Sequence, residues 1–294
     1  MITYSPSYNA PVKPKRIKFS VLSPEEIKKM SVVKITESTI YYRGLPNSGG
    51  INDALMGTSD RRLLCGTCMK DVKQCQGHIG HIELPFPMYH ISFFDTVLKI
   101  LRMVCFSCSR LCISDSDTIS EENETGKNLF SSVYNSAKAK KKCPHCGMAK
   151  PNYIRQSLSI KIDWPNDTEW ECEEEKQYCS LPFTSKEAHS ILSHVPDEDY
   201  ITMGFNPKVS HPKNMILTVL VVPPPVTRPA IMQSEGSRSR GQNDLTLKLQ
   251  DINKKCIELR SLLQGNKNTK LSCDVMEKIS KLQFEVFTMV NNSV

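Results

Sequence analysis

No stretch of this 294-residue chain strings together enough apolar residues to cross a bilayer, which takes about 20. Its polar opening, Met1 to Lys15, lacks the apolar core of a secretory signal. These two absences lead us to expect a soluble intracellular protein without a membrane partner. The chain also lacks a dominant charge: 38 basic and 31 acidic residues leave +7, a mild excess that permits contact with nucleic acid without requiring it. Most lysines read as solvated surface. The length suits one large domain or two smaller ones with ample core. What is abundant is cysteine, twelve in all. Their paired spacing argues for metal binding in a reducing compartment rather than for a disulfide framework.

The chain is organised around Cys65-Gly-Thr-Cys68 and Cys75-Gln-Gly-His78. A C-x2-C pair aims two thiolates at adjacent vertices of a tetrahedron, and Cys75 with His78 repeats that spacing, so together they make a closed site of the kind that holds structural zinc. Gly77 and Gly80 suit a tight backbone around a metal. His81 is the alternative imidazole ligand, and a set of buried core thiols is the plainer account of the cysteines. Arg61 and Arg62 precede the site, where they could meet a phosphate or form solvated ion pairs.

A second set follows. Phe94, Val97, Leu98, Leu101 and Val104 fall on one face of a helix over 93–104, which ends on Cys105-Phe-Ser-Cys108. The matching pair Cys143-Pro-His-Cys146 returns after a polar insertion, giving a zinc ribbon in outline with four cysteine ligands. Cys112 is a substitute ligand or a core thiol. The insertion Ser114 to Lys142 should be mobile. Its lysines, Lys138, Lys140, Lys141 and Lys142, read as a solvated run, with DNA contact or a localisation tag as the alternatives.

Elsewhere the pattern predicts a strand at Ile17 to Val21, a helix from the Ser23 cap to Met30, a strand over Val32 to Tyr42 and a loop over Gly44 to Asp60. It also predicts a strand over Tyr153 to Trp164, an exposed acidic loop at Asp167 to Glu175 with Cys172 and Cys179 nearby, and a helix from Ser185, its own cap, to Leu192. Met215 to Val222 is a buried strand stopped by Pro223-Pro224-Pro225. Met232 to Asn243 is a flexible basic loop. Asp244 caps a long amphipathic helix closed by Gly265, and a last helix buries Val275, Ile279, Leu282, Val286 and Val290. The fold class is α+β.

In order, C-x2-C-x6-C-x-G-H-x-G-H-I-E-L, the two further C-x2-C pairs, L-x-V-P-P-P-V-x-R-P and N-D-L-T-x-K-L-x-D-I resemble the N-terminal region of the largest subunit of multisubunit DNA-directed RNA polymerase, of the eukaryotic and archaeal kind. The resemblance covers nearly the whole chain. It implies a zinc-stabilised clamp in three parts: 1–92, first part of the clamp core with the site of Cys65, Cys68, Cys75 and His78; 93–222, the clamp head with the site of Cys105, Cys108, Cys143 and Cys146; and 223–294, the rest of the core. Met232 to Asn243 resembles the lid loop that helps part RNA from template, with Leu245 to Leu263 as the clamp-core helix behind it.

The same resemblance implies nucleic-acid contacts at Arg61, Arg62, Arg228, Arg238 and Arg240. The implied partners are the other polymerase subunits, especially the second-largest, the DNA template and the RNA–DNA hybrid. Location would be the nucleus for a cellular source, and the virion or infected cell for a viral one. The family's catalytic Mg2+ is held by aspartates in N-A-D-F-D-G-D, because nucleotidyl transfer needs clustered carboxylates. Neither Asp115 with Asp117 nor Asp197 with Asp199 resembles that motif. The chain is therefore expected to be a fragment or one half of a split subunit, inert by itself, with Zn2+ its own cofactor and Mg2+ that of the complete enzyme.

Two other classes compete. A zinc deaminase carries H-x-E and P-C-x-x-C; His81-Ile82-Glu83 with Cys105 to Cys108 is a superficial match, but Val104 stands where the proline belongs. A stand-alone zinc-ribbon transcription factor leaves the apolar faces of Leu217 to Pro225 and the C-terminal helices without partners.

Overall fold

The computed structural model describes residues 15, 19–60, 62–113, 127–165, 183–229, 231–232, 240–265 and 273–291. The expected acidic loop with Cys172 and Cys179, and most of the basic loop after Met232, lie outside them.

A three-stranded sheet sits at the centre, in the order β1 (Val33–Lys34), β4 (Gly80–Tyr89), β7 (Ile216–Val222). β4 runs parallel to β1 and antiparallel to β7. Sequence pattern did not mark β4 as a strand, since Pro85 and Pro87 lie within it and proline cannot donate to a ladder. The structure accommodates both prolines in a slip of register. Gly80 to Glu83 pair with Val222 to Val219, and pairing resumes only at Met88 with Leu217. At the far end of β4, the Gln283 side chain replaces a strand neighbour: its Oε1 accepts from the Tyr89 N–H (2.8 Å) and its Nε2 donates to the Tyr89 carbonyl (2.9 Å).

Ahead of the sheet, Ser23 and Glu26 form a reciprocal capping box on α1 (Pro24–Met30), as their spacing predicts. Two strand expectations need correction. Phe19 to Val21 are irregular, Val21 being tied only to the Ser210 hydroxyl, and Ile17 lies outside the described residues. The run Val32 to Tyr42 contains only β1 and β2 (Tyr41–Tyr42), because after Ile35 the amides of Thr36 and Glu37 turn to the Gly49 carbonyl. β2 pairs antiparallel with β3 (Leu45–Pro46), inside the segment expected to be all loop.

α2 (Phe94–Met103) buries the face its spacing marked. The insertion expected to be mobile contains a helix, α3 (Lys127–Ala139), whose Val133 and Ala137 bury against the same core as α2. Leu129, Phe130 and Tyr134 pack against the same core, so one apolar face docks a segment whose flanks read as polar. The expected single strand from Tyr153 is a hairpin of β5 (Asn152–Gln156) and β6 (Ser159–Asp163), turned at Ser157 in a left-handed conformation (φ 46°). α4 (Ser185–His194) is capped by Thr184 rather than Ser185. Thr184 makes the box with Glu187, and Ser185 is left to donate to the Pro87 carbonyl at the β4 bulge. A short α5 (Asp197–Thr202) follows.

Beyond β7, the two-residue strands β8 (Ile231–Met232) and β9 (Arg240–Gly241) pair antiparallel. α6 (Asp244–Gly265) is capped by Asn243, whose Oδ1 accepts from the Leu245 N–H (2.9 Å), so Asp244 is the first helical residue and not the cap. α6 packs on α7 (Cys273–Val290), with Glu285 clasped between Lys248 (2.9 Å) and Lys255 (2.5 Å).

The core divides in two. One cluster gathers α2, α3, α4 and the hairpin around Phe94, Leu101, Tyr153 and Tyr200. The other packs β4, β7, α6 and α7 around Ile82, Met88, Leu249 and Leu282. The architecture is α+β, as expected. No helix among the described residues is long and apolar enough to cross a membrane.

Candidate metal centres

Folding brings together two sets of four ligand residues: Cys65, Cys68, Cys75 and His78, and Cys105, Cys108, Cys143 and Cys146. Within each set the ligand atoms all lie within 4.8 Å of one another. In the second, Cys105 Sγ is 3.5 Å from Cys146 Sγ and Cys108 Sγ is 3.7 Å from Cys143 Sγ. Disulfide sulfurs lie at about 2.05 Å, whereas Zn–S bonds of about 2.3 Å in a tetrahedron place sulfurs roughly 3.8 Å apart. The spacing is that of a metal cage.

Three of the four pairs are built by one backbone device. The first cysteine's N–H donates to the carbonyl five residues on: Cys65 to Lys70 (3.0 Å), Cys105 to Arg110 (2.9 Å), Cys143 to Met148 (2.9 Å). The amide four residues on returns to the cysteine's carbonyl, from Met69 (2.9 Å), Ser109 (3.1 Å) and Gly147 (3.0 Å). Those three residues all have positive φ, 57°, 56° and 75°. The turn lifts amides toward sulfur, as where Thr67 N–H donates to Cys65 Sγ at 3.4 Å. The pair Cys75 and His78 turns at Gly77 instead (φ 87°), whose N–H donates to Cys75 Sγ at 3.4 Å. Gly147 was the one sequence signal for the shared turn. Met69 and Ser109 carry no such mark, and pattern reading passed over them.

The donor chemistry fits zinc. His78 Nε2 is buried without a hydrogen-bond partner, an orphaned lone pair or proton in a cage of three thiols. Burial pushes Cys75 up to about 11 and raises Cys105 as well. Burial also acts on Cys65 and Cys143, yet amide donors at Cys68 and Thr67, and at Cys146 and His145, outweigh it and draw both thiols down, Cys143 to about 7. Thiols of one cage are thus shifted in opposite directions, and a divalent cation would take every sulfur as thiolate. Four protein ligands leave no place for water. These centres can brace the fold, and they offer no open coordination position for chemistry.

The alternative ligands are placed elsewhere. His81 sits on β4 with Nδ1 2.7 Å from the Ser31 hydroxyl. Cys112 is buried against Cys105 and Cys143 but outside the four-atom set. Of the deaminase-like residues, Glu83 is held by Lys28 (2.6 Å) and Lys34, and neither it nor His81 belongs to the set that contains Cys105 and Cys108. Asp197 lies 3.7 Å from His211, and Asp199 accepts from the Leu111 N–H at 2.9 Å. These two carboxylates serve the fold. Asp115 and Asp117 lie outside the described residues.

Of the five arginines expected at nucleic acid, Arg61, Arg238 and the side chain of Arg240 lie outside the described residues. Arg62 is exposed, and its guanidinium is forked onto Asp60 at 3.1 and 3.3 Å. Arg228 requires a correction. It is 3% exposed and donates to Pro223 O (3.0 Å), Asn52 Oδ1 (2.7 Å), Thr246 Oγ1 (3.1 Å) and Ile51 O. Burial draws its pKa down to about 10, so it remains charged at neutral pH. In this position it is a clasp joining the loop after β7 to the segment before the first cage and to α6, with no face left for a phosphate.

An α+β chain that gathers its paired cysteines into two four-residue sets able to hold a metal ion, with no clustered carboxylates in the described residues beside them, has the donor sets of a protein whose metals would brace a framework. Residues 12–294 match the family described as RNA polymerase Rpb1, domain 1, and the chain belongs to that family. Its similarity extends to DNA-directed RNA polymerase II subunit RPB1 of Euplotoides octocarinatus, 34% identical over an alignment 294 positions long that covers 95% of this chain. The chain spans 59% of that relative's length.

Proposed function

We propose that this chain is the N-terminal clamp portion of the largest subunit of a DNA-dependent RNA polymerase and takes part in DNA-templated transcription by closing over DNA and the RNA–DNA hybrid. The match to the first domain of the Rpb1 family across residues 12–294 carries this reading. We assign 1–92 and 223–294 to the clamp core and 93–222 to the clamp head, with Met232 to Asn243 as the lid. β4 and β7 of one sheet belong to different assigned segments, so head and core are joined by strand pairing.

Cys65, Cys68, Cys75 and His78, and Cys105, Cys108, Cys143 and Cys146, would each hold a Zn2+ that would cross-link the loops around it and add no reactive position. The chain's residues do the rest. The three cysteine knuckles fix the loops they close, Arg228 locks the approach to the lid against α6, and the Glu285 clasp keeps α6 on α7. Contacts to nucleic acid would fall on phosphates, giving little sequence preference and a strong salt dependence. Arg62, Arg238 and Arg240 are the candidates. The Mg2+ carboxylates belong to sequence outside this chain, and the partners are the other subunits, above all the second-largest. A cellular source places the complex in the nucleus.

The test is assembly. Supplied with the remaining polymerase subunits, the chain should co-purify with the second-largest subunit, and Arg238→Ala with Arg240→Ala should shorten the lifetime of the upstream hybrid in stalled complexes. Binding of DNA by the chain alone, with no association to polymerase subunits, would instead establish the stand-alone zinc-ribbon factor.

A further inference from the structure

The chain passes between its two apolar cores along neighbouring strands. Met88 packs in the core of α6 and α7 while Tyr89 packs in that of α2, and on β7 Leu217 and Ile216 divide in the same way. Tyr89 and Ile216 are also the last pair in the ladder between β4 and β7. Beyond that pair each strand meets a 3-10 turn, Ile91–Phe93 after β4 and Pro212–Met215 ahead of β7. The His90 N–H donates to the Met215 carbonyl at 3.3 Å, so the two turns lie side by side. Each turn leaves its first amides without helical partners, and in both a histidine meets one of them. His90 Nδ1 accepts from the Ser92 N–H and His211 Nδ1 from the Lys213 N–H, both at 3.2 Å.

Ser, Thr, Asp and Asn are the usual caps, and their oxygens accept an amide throughout the neutral range. An imidazole accepts through Nδ1 only while that nitrogen carries no proton; once charged, both ring nitrogens donate and the amide is left facing an N–H. Asp197 lies 3.7 Å from His211 Nε2, with the Tyr200 ring at 5.1 Å and Lys213 on the same turn. The cavity that His211 lines adds Glu25, Glu26, His189 and Lys208. His90 packs on the Phe93 ring at 4.9 Å. Burial draws both imidazoles below 6.5, with Lys213 adding to it and Asp197 opposing it at His211. The fold thus favours the accepting form of each ring. We propose that the paired crossings form an acid-sensitive joint, in which proton uptake at Nδ1 of His90 and His211 breaks both caps and loosens the connection between the two cores. Because the folded imidazoles are held below their ordinary value, the caps are complete above about 6.5 and are lost as pH falls below it. Gln283 on Tyr89 and Ser185 on the Pro87 carbonyl are uncharged ties, so the opening is local and the strands stay paired. The joint rests on the two cores, and it holds whether or not 93–222 serves as a clamp head.

Amide hydrogen exchange on the full 294-residue chain at pH 7.5 and pH 5.5, corrected for intrinsic exchange rates, decides the question. Protection of the Ser92, Lys213 and His90 amides should fall about threefold or more between the two, while that of Leu220 inside the ladder should hold. His90→Asn with His211→Asn puts an acceptor that does not titrate in place of each imidazole, and its protection at the two turns should be equal at both pH values. Zinc content measured at each pH separates metal loss from opening of the joint. In the unsubstituted chain, 15N NMR at pH 7.5 should find both rings with the proton on Nε2, a reading that needs no variant to fold. The proposal is overturned if protection at the turns does not change with pH, if the double variant keeps the parent's pH dependence, or if the proton is found on Nδ1.

Discussion

Gly77 lies against Pro224 so closely that a Cβ on the glycine would stand 2.7 Å from both Cβ and Cγ of the proline. The turn of the first cage and the three-proline run after β7 are thus packed as one unit, far apart in sequence and touching in the fold. Gly77 also has positive φ. Gly77→Ala should therefore destabilise the chain by about 2–4 kcal/mol, through overpacking and left-handed strain together. Urea unfolding would read this directly, and an unchanged midpoint would refute the contact.

Metal content separates the two histidines. The purified chain should carry two zinc ions by elemental analysis, with His78→Ala and Cys146→Ser each losing one and His81→Ala keeping both. Retention of both ions by His78→Ala would overturn the proposed ligand set.

Arg228 is a test of burial against surface charge. Arg228→Met leaves the acceptors on Ile51, Asn52, Pro223 and Thr246 without their donor, which should lower stability by about 3 kcal/mol. Arg228→Lys should recover less than half of it, since one ammonium cannot reach acceptors arranged around a planar fork. Nucleic-acid affinity of the folded variants should keep its salt slope, in contrast to any phosphate-contacting arginine.

Glu83 gives the fold an acid-sensitive joint. Hydrogen bonds from Lys28 on α1 and Lys34 on β1 hold its carboxyl down to about 2, from an ordinary value of 4.5. Because the folded value is depressed, the stabilisation is complete above about 4.5 and is lost as pH falls toward about 2. Glu83→Gln should flatten the stability curve in that window alone. The comparison is between variant and parent, as the cages release metal in acid in both. Parallel curves would exclude the joint.

The knuckle turns make a prediction of opposite signs. Met69 is 70% exposed and left-handed, so Met69→Gly should stabilise by about 0.5–1 kcal/mol, the relief of φ strain exceeding glycine's entropy. Gly147→Met, with nothing within 4 Å of the added Cβ, should destabilise by about 1 kcal/mol from φ alone. Thermal unfolding of the zinc-loaded proteins measures both.

The cages were legible in the sequence because a C-x2-C pair is a local device: its spacing alone aims two sulfurs at one point. The α1 capping box and the apolar face of α2 were legible for the same reason, their partners lying within a few residues. What stayed hidden depends on chain far away. β4 reads as a proline-broken segment until β7 and Gln283 supply its partners. α3 looks like a polar linker until α2 offers a wall for Val133 and Ala137. Arg228 looks like a surface cation until four acceptors from three separate segments close around it. Sequence by itself determined which cysteines and which histidine are drawn into two sets of four and to which family the chain belongs, because both are written in short, ordered spacings. Tertiary structure alone decided which charges are buried and which strands pair, because burial and pairing are properties of neighbours that the order of residues does not specify.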